Sequence, residues 1–325
     1  MRLAGIIAAL TTPFDAAGEV ALGALGRNLE QYNATPLAGY LVLGSSGEAI
    51  LLDRAEKLAV LRQAAQAAAP SKLLLAGTGE ESLRATLEMT ERASELGYHA
   101  AVVRTPHYYK KSMTRAALAG FYLELAKRSP LPVVLYNIPP LTGVDLSLEA
   151  VLELARHPNI AGLKESSGNL DKLVRLAAAE ADFPVLVGGA STVYPSLCAG
   201  AAGAILALAA AAPEACCQIE RAFRAGDHAL ALAAQRAVLA VCAAFEPLGI
   251  AGLKAAADAG GFCGGSPRLP QLPASPEQQQ AIAAAIAALG EPMRTATAAE
   301  SASLGKAARG PASTESHRPT AATPR

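Results

Sequence analysis

Eight short apolar runs, each followed by a longer amphipathic stretch, succeed one another along the first two thirds of the chain. Leu3 to Leu10, Gly39 to Leu43, Leu73 to Ala76 and Ala100 to Val103 are the first four. Val133 to Tyr136, Ile160 to Leu163, Pro184 to Val187 and Gly203 to Leu206 complete the set. The runs are continuous in hydropathy, the pattern of strands buried on both faces. The stretches between them open on helix-start residues. Asp53 with Glu56 three residues on reads as a capping box, and Ser82, Thr114 and Ser147 begin later helices. Parallel strands need crossover connections, and eight such units close into a barrel of ordinary size. The alternative, an open doubly wound sheet, lacks a G-x-G-x-x-G after its first strand. The expected fold class is α/β: a (β/α)8 TIM barrel over residues 1–226.

Beyond the barrel, Asp227 to Ala244, Gly252 to Ala259 and Pro276 to Leu289 predict a C-terminal helical extension over residues 227–294. Residues 295–325 are Ala, Ser, Thr, Pro and Arg without periodicity, which predicts a disordered tail.

Composition narrows the function classes. Lys plus Arg and Asp plus Glu each number 28, so net charge is zero, and no basic face or polybasic run points to nucleic acid or a membrane surface. The N-terminal apolar run meets Thr11-Thr12-Pro13 too soon for a convincing signal peptide. The nearest candidate for a membrane span, Gly200 to Pro213, is too short. Five cysteines, with Cys216 and Cys217 adjacent and no C-x-x-C, read as reduced thiols in packed helices, and a cytoplasmic protein is expected. His99, His107, His157, His228 and His317 are scattered, so no metal site is expected, and no cofactor motif is present.

In such a barrel chemistry sits where strands run into the following helices. Lys164 closes the sixth run, in Ile160 to Gly168. Desolvation disfavours the charged ammonium of a buried lysine, which frees the amine to attack a keto acid. Gly44-Ser45-Ser46-Gly47 after the second strand offers backbone N–H groups and two hydroxyls, suited to a carboxylate. Tyr136 ends the fifth strand, where a phenol near a lysine can relay protons. Tyr108 and Tyr109 follow the fourth strand, and Gly188 and Gly189 after the seventh leave room for close approach of a ligand. Taken singly, each has a structural reading: a solvated lysine, a core tyrosine, an interface patch. Their convergence on one rim carries the inference.

Five motifs, GSSGE from Gly44, LAGTG from Leu75, TPHYYK from Thr105, LYNIP from Leu135 and GLKES from Gly162, resemble in order and spacing those of the dihydrodipicolinate synthase and N-acetylneuraminate lyase family of pyruvate-dependent class I aldolases. The resemblance covers about Leu3 to Leu289. It implies that Lys164 captures pyruvate as a Schiff base, that Tyr136 and Ser45 relay protons, and that Ser45 and Ser46 hold the pyruvate carboxylate. Tyr108 would be lent across a dimer interface, in a dimer or dimer of dimers, and the backbone carbonyl of Ile205 would lie by the keto acid. Ser166 could hydrogen-bond the second substrate. Leu141 stands where family synthases usually carry an arginine that grips aspartate semialdehyde, which argues against that substrate unless another cation such as Arg104 or Lys110 substitutes. The motif set, with GIAGLKAA and the late GGSPR, leans toward 4-hydroxy-2-oxoglutarate, cleaved to pyruvate and glyoxylate, as substrate. The alternatives are 4-hydroxy-tetrahydrodipicolinate synthesis from pyruvate and aspartate semialdehyde, cleavage of a sugar acid, and a non-catalytic keto-acid sensor.

Overall fold

The computed structural model describes residues 2–179 and 182–290, so the expected tail lies outside the described residues. The first half of the barrel runs β1 (Gly5–Ala9), α1 (Leu22–Asn33), β2 (Gly39–Val42), α2 (Arg54–Ala67), β3 (Leu73–Gly77), α3 (Leu83–Glu95), β4 (Ala100–Arg104) and α4 (Arg115–Arg128). The second half continues with β5 (Val133–Asn137), α5 (Pro139–Thr142), α6 (Leu148–Ala155), β6 (Ile160–Glu165) and α7 (Leu170–Ala179). It ends with β7 (Val185–Val187), α8 (Val193–Cys198), β8 (Gly203–Leu206) and α9 (Pro213–Arg224). The strands pair in sequence order, all parallel, and β8 returns to β1 to close the barrel.

Alternation along each strand divides the core in two. Inward residues such as Ile7, Leu41, Leu75, Val102, Val134, Leu186 and Ile205 fill the barrel. Outward residues such as Ile6, Tyr40, Val103, Leu135 and Leu163 join the helices in the larger cluster. The helices begin where the sequence predicts. Asp53 and Glu56 form the capping box, and the side chains of Ser82, Thr114 and Ser147 each accept from the backbone three residues on.

Three helices follow: α10 (His228–Phe245), α11 (Gly249–Ala259) and α12 (Pro276–Ala288). Among the described residues, the run His228–Ala259, not Gly200 to Pro213, is the stretch long and apolar enough to cross a membrane. It bends at Gly249, and its buried side chains, among them Val238, Val241, Phe245 and Leu253, pack into the larger core cluster. The five cysteines are free. Cys216, Cys217 and Cys242 are buried as expected, but Cys198 is exposed at the end of α8.

Candidate active site

Three neighbouring strands end on the same level. Arg104 of β4 is in register with Tyr136 of β5, and Tyr136 with Lys164 of β6. Leu163 and Glu165 face the helices, so Lys164 faces into the barrel mouth, where it is 4% exposed. Its Nζ lies over the Tyr136 ring, 4.1 Å from the centroid, a cation–π contact for the charged form and an apolar seat for the neutral one. Among the described residues no carboxylate approaches this amine within 4 Å. The Tyr136 hydroxyl is 3.4 Å from Ser45 Oγ, at the outer edge of hydrogen-bond distance.

The turn that carries Ser45 and Ser46 is held in an unusual shape. Leu43 (φ 60°) and Glu48 (φ 53°) both lie in the left-handed region, where side chains other than glycine cost about 1–3 kcal/mol each. They bracket the Gly44–Gly47 turn, so something must over-determine it. Thr12 Oγ1 donates to the Gly47 carbonyl at 2.7 Å. Glu48, 2% exposed, receives Lys254 Nζ at 2.7 Å and the backbone N–H of Arg268 at 2.9 Å. Lys254 also donates to the Ser266 carbonyl and lies over the Phe14 ring, 4.3 Å from its centroid. Burial pushes the Lys254 amine below the ordinary lysine range, and Glu48 opposes that fall.

A second buried network holds the loop after Lys164. The Glu165 carboxylate accepts from Asn137 Nδ2 at 2.9 and 3.0 Å and from the Ser167 N–H at 2.7 Å, and Lys172 Nζ is 3.1 Å away. The Ser166 N–H donates to the Asn137 carbonyl, and the Gly188 N–H to the Glu165 carbonyl. Gly188 has a steric role as well: a Cβ there would stand 1.8 Å from Ser166 Oγ. Glycine at this strand end is what lets Ser166 occupy its place.

These elements enclose a cleft of about 860 Å³ at the barrel mouth, lined by Ser45, Ser46, Tyr136, Lys164, Ser166 and Gly188, with Leu141 at 64% exposure on α5. Two predicted site residues are not among this lining. Ile205 is fully buried inside the barrel, paired with Ile7, and its side chain belongs to the packing below the cleft. Tyr108, 77% exposed, is edge-on to Tyr109 at 5.1 Å and lines no part of this cleft. Among the described residues no group of acidic, His or Cys side chains is placed to hold a metal. Chemically, a buried amine beside a phenol–hydroxyl pair and a turn rich in donors can capture the carbonyl of a 2-oxo acid and move protons during that capture.

The sequence reading gave no separate role to Glu48, Lys254, Asn137, Glu165 or Lys172. Asn137 and Glu165 follow directly on Tyr136 and Lys164, so strand alternation could have assigned them to the outer face as a pair. Lys254 sits in the apolar run Gly249 to Ala257, where a lone lysine signals a buried partner, but which partner is set by tertiary structure.

Residues 2–289 match the model of the dihydrodipicolinate synthetase family. A 4-hydroxy-tetrahydrodipicolinate synthase of Exiguobacterium sp. strain AT1b is 35% identical over 289 residues, 88% of this chain and 98% of that protein. One from Xanthomonas axonopodis pv. citri is 41% identical over 216 residues, 66% of this chain and 71% of that protein. Among solved structures, YagE of E. coli K12, a prophage protein of the dihydrodipicolinic acid synthase family in complex with pyruvate, superposes with a TM-score of 0.83 at 28% identity, over 89% of this chain and 99% of that one. Dihydrodipicolinate synthase from Aquifex aeolicus gives a TM-score of 0.82 at 29% identity, over the same shares. With the closed barrel, the helical extension and the strand-end constellation together, the chain belongs to the dihydrodipicolinate synthetase family.

Proposed function

We propose that the chain is a carbon–carbon lyase of the class I aldolase type, in which Lys164 binds pyruvate as a Schiff base and joins it to, or releases it from, an aldehyde. The observation that carries this reading is the buried Lys164 amine over Tyr136, whose hydroxyl faces Ser45. The amine adds to the C2 carbonyl of pyruvate, and the carbinolamine loses water to give an imine. The protonated imine draws electrons from C3 as a proton leaves, and the resulting enamine forms the new bond to the aldehyde carbon. Tyr136 and Ser45 carry protons to and from the carbinolamine oxygen, while Ser45 and Ser46 hold the pyruvate carboxylate. The pyruvate bound by YagE supports this choice of 2-oxo acid.

For the aldehyde, the relatives' names support 4-hydroxy-tetrahydrodipicolinate synthesis from aspartate semialdehyde ahead of the 4-hydroxy-2-oxoglutarate cleavage expected from the sequence. One feature favours the latter: α5 presents the apolar Leu141 to the cleft where an arginine would grip aspartate semialdehyde. Tyr108, exposed in the single chain, serves the cleft of a second copy, so the working form is a homo-oligomer. The free thiols are consistent with a cytoplasmic enzyme.

Borohydride trapping tests the proposal. Pyruvate with reductant is expected to label the Lys164 peptide, and Lys164→Ala to abolish the label. A wild-type protein that traps nothing refutes the lyase and leaves a keto-acid sensor. Turnover with aspartate semialdehyde against turnover of 4-hydroxy-2-oxoglutarate then decides the second substrate.

A further inference from the structure

We propose that Arg104 recognises a carboxylate on the aldehyde substrate, so that this enzyme selects anionic aldehydes through β4 instead of through the loop after β5. The inference rests on the Schiff-base reading of Lys164 given above and extends it to the other half of the reaction.

Alternation places Val102 in the barrel and Val103 among the helices, so Arg104 turns inward again. It stands level with Tyr136 and Lys164, two strands from the lysine, about 10 Å between Cα positions at ordinary strand spacing. A carboxylate a few bonds from the imine carbon can bridge that gap, because both side chains reach into the same cleft. Besides Lys164, Arg104 is the one Lys or Arg among the cleft-lining residues described. Lys110, the other cation near the rim, packs against Gly143 outside that lining.

The guanidinium has an ion-pair neighbour but its hydrogen-bond donors are unused. Its charged neighbour is Glu81, and their closest approach is 3.7 Å, beyond hydrogen-bond distance. Glu81 is engaged elsewhere: one oxygen accepts from the backbone N–H groups of His107 and Tyr108, and the other is 2.8 Å from His107 Nδ1. Among the described residues the Arg104 side chain makes no hydrogen bond, although it carries five donors in a fork that fits a carboxylate. The chain keeps a space for it. A Cβ on Gly79 would stand 2.7 Å from the Arg104 backbone nitrogen, 3.2 Å from its Cγ and 3.3 Å from its Nη1. An inward guanidinium whose nearest carboxylate stands beyond hydrogen-bond distance keeps its donors for the second carboxylate that the aldehyde would bring.

The test measures kcat/KM of the full-length enzyme with pyruvate and either a carboxylate-bearing aldehyde (glyoxylate or aspartate semialdehyde) or its neutral counterpart glycolaldehyde. Wild type is expected to prefer a carboxylate-bearing aldehyde, and Arg104→Ala to reduce that preference roughly 10- to 100-fold, chiefly through KM. Arg104→Lys is expected to restore part of it. Glu81→Gln, which disturbs the neighbouring loop while leaving the guanidinium, is expected to retain most of it. Borohydride trapping of pyruvate is run on each variant. Trapping that persists while Arg104→Ala slows charged and neutral aldehydes equally, or neither, overturns the assignment and leaves the lyase reading standing. A wild type that prefers the neutral aldehyde overturns it too. Absence of trapping in wild type removes both.

Discussion

Gly188→Ala should destabilise the protein through Ser166 alone. Alanine meets no conformational barrier here, because Gly188 is outside the left-handed region. The obstruction is steric: the added Cβ would stand 1.8 Å from Ser166 Oγ, 2.8 Å from its Cβ and 3.3 Å from its Cα. Rotating the hydroxyl removes the first clash and leaves the second, so the backbone must also move. That backbone is pinned on both sides, by Ser166 N–H to the Asn137 carbonyl at 2.8 Å and Gly188 N–H to the Glu165 carbonyl at 2.7 Å. Overpacking of this kind costs about 1–3 kcal/mol, which lowers Tm by roughly 2–4 °C per kcal/mol or somewhat less in a chain of this size. Ser166→Gly should suppress the effect, since it removes both side-chain clashes and leaves only the 3.3 Å approach to the backbone. In a double-mutant cycle followed by thermal unfolding, the two substitutions should couple by about 1 kcal/mol or more. Gly188→Ala with unchanged Tm, or additive substitutions, would show that Ser166 does not depend on this glycine.

Three further outcomes are expected. Co-expressed Lys164→Ala and Tyr108→Phe chains should regain activity that each lacks alone, up to about one quarter of wild type if the tyrosine is donated across a twofold interface; no recovery removes Tyr108 from the partner's site. Lys254→Met strands the buried Glu48 charge and should cost about 3–5 kcal/mol in denaturant unfolding, with Glu48→Gln recovering part of the loss; a change within about 1 kcal/mol contradicts the buried pair. The hydrogen bonds from Arg268 hold Glu56 below the ordinary carboxylate range. The unfolded chain therefore binds more protons in acid, and the stability gained is present above the ordinary carboxylate value and lost as pH falls through the folded one. Glu56→Gln should accordingly be less stable than wild type at about pH 7, with the gap closing in acid; a constant gap refutes the linkage.

The barrel was legible because its signals are local. Continuous apolar strands, a capping box at Asp53 and helix starts at Ser82, Thr114 and Ser147 each act within a few residues, and the structure has them where they were expected. Lys164, Tyr136, Ser45 and Ser46 were legible too, since each lies at a strand end and strand ends share one rim. Ile205 lies within β8 with its side chain buried in the barrel, so only its backbone carbonyl, the group the resemblance implied, is left to serve a ligand. The ion pairs that hold the site were not legible. Glu48 with Lys254 and Glu165 with Lys172 join charges whose pairing is set by how helices pack, and no local pattern encodes it. In the sequence Arg104 is one of two stray cations, and only strand register puts it level with the lysine.

The tie between the β2 turn and the C-terminal helices fixes the order in which the site can be completed. Glu48 receives its backbone donor from Arg268, 220 residues later in the chain. At ordinary rates of synthesis that interval is about 10–40 s. For its last part, after β8 ends at Leu206, the nascent barrel has its strands but not the contacts that offset the left-handed conformation at Glu48. The turn that carries Ser45 and Ser46 therefore has its Thr12 contact early but gains its full support only after those helices dock. A chain that ends before Lys254, with all eight strands made, is expected to carry Lys164 but to lack the contacts that hold the β2 turn.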